Sequence, residues 1–172
     1  MNAQLKELIL VEHSKRQALF ILAFVNDKES RFDDLMELFF CNKTLLAQRA
    51  AFAVSHILEE SPQLAGKYEY QLVNLLNKRV HDANKRCIIK FYMTHEVSEV
   101  NTSLMIDNCF KLLMDPKGAI AIKASAMSVL FNFSKIYPDL QIELKAVIES
   151  QLKNGSTGFL NRSNKILNHL NE

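Results

Sequence analysis

Four basic residues, Arg49, Arg86, Lys123 and Arg162, recur along the chain at spacings of 37, 37 and 39 residues. Each is followed at once by a small residue: Ala50, Cys87, Ala124 and Ser163. Self-similarity at a period of about 20–50 residues marks a repeat architecture, in which each unit buries its apolar face on its neighbours. A small residue lets two helices approach closely. The aliphatic stem of Arg or Lys can cover that contact while its charge stays in water.

The units between these marks read as helices. Apolar residues recur three and four apart almost everywhere, and strict alternation is nearly absent. The chain has only four Gly and three Pro, too few for the many turns of an all-β fold. Residues 3–12 predict a first helix, and Ser14 caps a second. Ser30 is an expected N-cap for "RFDDLMELFF", with Asp33 and Asp34 in the first turn, where the helix dipole favours carboxylates. Asn42 or Thr44 opens the next helix. Ser61 and Pro62 then predict a cap and first position for a helix reaching about Asn77, with Gly66 a point of interruption. Asp82 is the expected cap of "ANKRCIIKFYMTH". "NTSLMIDNCFKLLMD" follows and ends at Asp115, Pro116 and Gly118. "AIAIKASAMSVLFNFSKIY" is the most apolar helix. Its polar residues Ser125, Ser128, Asn132 and Lys135 form one narrow stripe, so it should lie centrally. Pro138 opens "DLQIELKAVIESQLKN", "GSTG" is a turn, and "FLNRSNKILNHL" is the last helix.

These observations predict an all-α chain, an α-α superhelix of about four helix pairs after an N-terminal helical cap, and a single domain over residues 1–172. The second-helix marks "QRAA", "KRCI", "IKAS" and "NRSN" resemble those of HEAT-like (ARM-type) α-solenoid repeats over roughly residues 30–172. The Asp often found in the turn of such repeats has one loose counterpart, Asp82. With "AQRAAF" and "HDANKR", the chain also resembles a group of short bacterial HEAT-like proteins of unassigned function, some labelled adenylosuccinate lyase. Such lyases are tetramers of much longer chains and carry a loop of the type SSxMPxKxN. Nothing in this sequence matches that loop.

Several functions lose support from composition. A formal net charge of +2 is too small to imply nucleic acid on its own. Cys41, Cys87 and Cys109 are widely spaced in apolar stretches without a CxxC, and read as buried free thiols rather than disulfides or zinc ligands. The longest apolar run, "ALFILAFV", is far short of a membrane span. "MNAQLKELILVEHSKRQ" carries charge through any h-region, so cytoplasmic residence is expected. No GxSxG or HExxH occurs. No catalytic, cofactor or metal residue is assigned, and an enzyme is not expected.

The remaining candidates are surface residues. His56, Glu59 and Glu60 sit one turn apart, a spacing that suits a divalent metal, or simply a solvated helix end. His81, Asp82, Lys85 and Arg86 suit an anion pocket at a helix N-terminus, or a cap in which Asp82 fills that place. Arg49, Arg86, Lys123 and Arg162 form either a basic ladder or a set of packing residues between repeats, and Lys90 and His95 extend the helix of Arg86. Phe39, Phe40, Phe52, Phe91, Phe110, Phe131 and Phe133 read as core. HEAT-like alkylpurine DNA glycosylases use Trp at the lesion, and this chain has none. The weak binding surface is therefore Arg49, His56, Lys85, Arg86, Lys90, His95, Lys123 and Arg162. The first expectation is a scaffold that binds another protein. The alternatives are nucleic-acid binding through the basic ladder, and a lyase-labelled protein without recognisable catalytic motifs.

Overall fold

A computed structural model describes residues 3–26 and 29–171. Among these residues are ten α-helices, two short 3-10 stretches and no strand. The helices are α1 (Ala3–Val11), α2 (Lys15–Asn26), α3 (Glu29–Phe39), α4 (Thr44–Glu60), α5 (Glu69–Leu75), α6 (Asp82–Tyr92), α7 (Glu99–Met114), α8 (Ile120–Ile136), α9 (Leu140–Gln151) and α10 (Thr157–Leu170). Arg49 lies on α4, Lys123 on α8 and Arg162 on α10, each the second helix of a packed pair, and Arg86 lies on α6. The small residues after them are buried at Ala50, Cys87 and Ser163, while Ala124 is half-buried.

The helices group into two compact units. The first comprises residues 1–68 and 79–91, the second residues 69–78 and 92–172. In the first unit, α4 packs on α1, α2 and α3. Contact on several sides explains its composition. Ala47, Ala50, Ala51 and Ala53 are buried together with Leu46, Val54, Ile57 and Leu58, and the short side chains let the neighbours close in. In the second unit α8 has the central place predicted for it, against α7, α9 and α10. Ser128, on its polar stripe, is buried and donates to the Ala124 carbonyl of its own preceding turn at 2.9 Å.

Local chemistry sets most boundaries. Ser14 Oγ accepts from the Gln17 amide at 3.0 Å, and Ser156 caps α10 by accepting from the Phe159 amide. At Gly155 any larger residue would have to displace neighbouring side chains. A Cβ there would stand 2.9 Å from Leu160 Cδ2 and 3.0 Å from Phe159 Cδ1. The helix expected from Pro62 is 3-10 over Pro62–Tyr68 and α-helical only from Glu69. Lys67 and Tyr68 hold the 3-10 part to α3 by donating to Asp33, with Lys67 Nζ at 2.7 Å. These two hydrogen bonds, Lys67 first, hold the Asp33 carboxyl below its ordinary range.

Two expected caps are corrected. Ser30 lies inside α3, which begins at Glu29. Asp82 is the first residue of α6, and the cap is His81, whose Nδ1 accepts from the Ala83 amide at 3.1 Å. The phenylalanines also divide. Phe39, Phe110 and Phe133 are buried, whereas Phe40, Phe52, Phe91 and Phe131 are half-buried. Partial cover comes from ring partners, as where Phe52 lies 4.9 Å from His13 and 5.0 Å from His56.

Candidate functional site

The basic marks are engaged in different ways. Arg49 Nη1 donates to the Leu10 carbonyl at 2.7 Å and the Ile9 carbonyl at 3.3 Å. These belong to the last turn of α1, whose carbonyls have no partner within their own helix. A cation there also meets the negative end of the helix dipole. Lys123 Nζ donates to Gln151 Oε1 at 2.9 Å and sits 6.0 Å from the Phe159 ring. Lys85 and Arg162 are half-buried, and Arg86 is exposed.

Three asparagines, of which the sequence marked only Asn132 as part of a polar stripe, make the same kind of contact. Asn84 Nδ2 donates to the Phe39 carbonyl at 3.0 Å and the Ala47 carbonyl at 3.3 Å. Asn108 Nδ2 donates to the Val73 carbonyl at 2.8 Å, and Asn132 Nδ2 to the Met93 carbonyl at 2.9 Å. The partners lie 35–45 residues back, about one repeat. A polar residue inside an apolar helix is the sequence signal for them, since their spacing of 24 residues does not follow the 37-residue period of the basic marks.

His56, Glu59 and Lys90 form a small network. Lys90 Nζ lies 2.5 Å from Glu59 Oε1, and His56 Nδ1 lies 3.3 Å from Glu59 Oε2. The Lys90 hydrogen bond is the main reason the Glu59 carboxyl lies below its ordinary range. Glu60 is exposed and outside these contacts. Among the described residues no group of three His, Cys, Asp or Glu side chains is placed to hold a metal ion. Cys87 and Cys109 are buried, and burial raises both thiols, Cys87 to about 12. Cys87 follows Lys85 and Arg86 in the sequence, but burial outweighs any nearby positive charge and disfavours its thiolate. Cys41 is half-buried rather than buried.

His95 lies beyond the end of α6, not on the helix of Arg86, and its Nδ1 is 3.1 Å from Thr94 Oγ1. It lines a pocket of about 480 Å³ in the second unit. The wall runs from Tyr92 through residues 93–97 to Glu99 and Thr102 of α7, and is closed by Val129, Asn132, Phe133, Ile136 and Tyr137. Asn132 ties the two sides together through the Met93 carbonyl. Beside it, Glu69 accepts from the Ser98 amide at 3.2 Å, from the Ser98 hydroxyl and from Asn101 Nδ2 at 2.7 Å. Desolvation pushes the Glu69 carboxyl up, but these hydrogen bonds outweigh it and the net shift is down. Thus Glu69 fills the N-terminus of α7, and the pocket does not need that end to be open.

The HEAT repeat domain family model matches residues 5–170. The chain belongs to the HEAT repeat domain family. No curated protein matches it. A HEAT repeat stacks helix pairs, and the donors that reach back one pair are the polar part of that stacking. The HEAT assignment names an architecture and no reaction, so the lyase label of similar short chains gains nothing from it. Among the described residues no helix is long and apolar enough to cross a membrane.

Proposed function

We propose that this HEAT repeat chain is a non-enzymatic interaction module that binds another protein. The observation that carries the reading is the family match over residues 5–170, because repeat surfaces of this family serve mainly as binding platforms. Fold alone is a weak guide to function, so site chemistry must agree. It does: the buried thiols are raised, the His56 network is neutralised by Lys90, and the basic marks at Arg49 and Lys123 have internal partners. We take residues 1–172 as one repeat array, in keeping with the unbroken match. Two buried free thiols suit a reducing compartment, and the cytoplasm is the proposed setting.

The test is affinity capture with crosslinking, followed by titration of the identified partner in purified form. A saturable one-to-one complex is expected. Absence of any partner beyond the chain itself would overturn the proposal. Two outcomes would replace it. Binding of duplex DNA that weakens steeply with salt, and falls on substitution of Lys85, Arg86 and Arg162, would favour the nucleic-acid alternative. Fumarate release by the purified chain would favour the lyase alternative.

A further inference from the structure

The pocket of the second unit has a consistent chemistry. Its carboxylates are Glu96 and Glu99, both exposed, and no Lys or Arg lines it. Among the described residues neither carboxylate has a hydrogen-bond or ion-pair partner. Tyr92, Phe133 and Tyr137 are part of the lining, and aromatic rings can attract cations through the ring quadrupole. Phe133 and Ile136, from the last turn of α8, complete this side of the lining. Apolar side chains stand at the mouth: Ile136 is 65% exposed and Tyr137 42%.

We infer that this pocket takes the Lys or Arg side chain of a partner protein, from a basic segment whose neighbouring apolar residue covers Ile136. The assignment rests on the interaction-module reading and names its partner's chemistry. Charge complementarity decides the occupant. Two uncompensated carboxylates and an aromatic lining favour a cation, and neither favours an anion. Volume decides between a free ion and a side chain. About 480 Å³ is pocket-sized for an organic group and far exceeds a bare ion. The exposed apolar rim then argues for a segment of chain over a small soluble cation, because only a segment buries it.

The test uses the whole chain labelled with 15N and three blocked tripeptides: Leu-Arg-Leu, its citrulline analogue and Leu-Glu-Leu. The arginine peptide is expected to shift amides in residues 92–102 and 129–137 saturably, in the millimolar range. The citrulline peptide should bind about tenfold more weakly, since a charge-assisted hydrogen bond is roughly twice as strong as a neutral one. Glu96→Gln with Glu99→Gln should remove most of that difference, and both sites are exposed, so folding is safe. Shifts elsewhere, no shifts, or equal binding of the three peptides would overturn the assignment. Tetramethylammonium or argininamide binding as tightly as the peptide would overturn it in favour of a small molecule. A captured partner whose affinity is unchanged by the double substitution would sink the pocket while leaving the interaction module standing. No partner at all would sink the module.

Discussion

Replacing Arg49 with Met removes the guanidinium but keeps an unbranched apolar stem. What is lost is the pair of hydrogen bonds to the Leu10 and Ile9 carbonyls, at 2.7 and 3.3 Å. A hydrogen bond to a charged group contributes about 1.5–3 kcal/mol. The longer contact shares the same nitrogen and adds little. Arg49 is half-buried, so water recovers part of the loss, and about 1–1.5 kcal/mol is the expected destabilisation. For a chain of this size that lowers Tm by roughly 3–5 °C. Urea unfolding gives the stability change, and hydrogen exchange gives its location. The amides of α1 should lose about tenfold in protection, because local opening of α1 becomes easier. Arg49→Lys should recover roughly half, having the charge without the planar fork. A solvated ladder residue would instead change stability by less than about 0.5 kcal/mol. Arg49→Met with unchanged unfolding and unchanged α1 exchange would refute the structural assignment.

Three further outcomes are expected. Asn108→Asp should destabilise the chain by about 3 kcal/mol or more, because it replaces a donor to the buried Val73 carbonyl by a carboxylate, whereas Asn108→Ala should cost about 1–2 kcal/mol; thermal unfolding of the pair measures both. The Glu69 carboxyl is depressed below 4.5, so its stabilisation is complete above that pH and disappears as pH falls through the lower folded value; Glu69→Gln should flatten stability against pH in that acid range, and an unaltered profile would count against it. Ellman's reagent should label Cys41 in the native chain while Cys87 and Cys109 react only on unfolding; labelling of Cys87 in the native chain would contradict its burial.

What could be read from the sequence was periodic. The helix pairs and the central place of α8 followed from apolar spacing and from the marks at Arg49, Arg86, Lys123 and Arg162. The caps at Ser14 and Ser156 lie within single short stretches, and the first was legible. His81 was missed because Asp is the commoner cap and both residues stand side by side, so one residue of register decides between them. The pocket was missed for a different reason. Its wall joins residues 92–102 to residues 129–137, and no local pattern links the two segments. His95 and Glu96 were visible as polar residues, but their setting depends on where α6 stops, and helix ends are the least certain part of any pattern reading.

The recurring basic residue and the asparagines answer one physical problem. Each helix leaves its final carbonyls unpaired, and stacking the next pair withdraws some of those carbonyls from water. A buried carbonyl without a donor is costly. Arg49 supplies that donor for α1, and Asn84 supplies it for α3 at Phe39. Asn132 does the same just past α6, at Met93. A long guanidinium reaches a carbonyl near the surface, where its charge stays wet. A short amide serves a buried one, as Asn84 is 1% exposed. Depth alone does not decide between them, because Asn132 is exposed where it serves Met93. A strict basic period was never required for the stacking, and a basic residue of this repeat is a candidate for partner binding only where no helix end already holds it. Arg86, exposed, is the mark that best meets that condition.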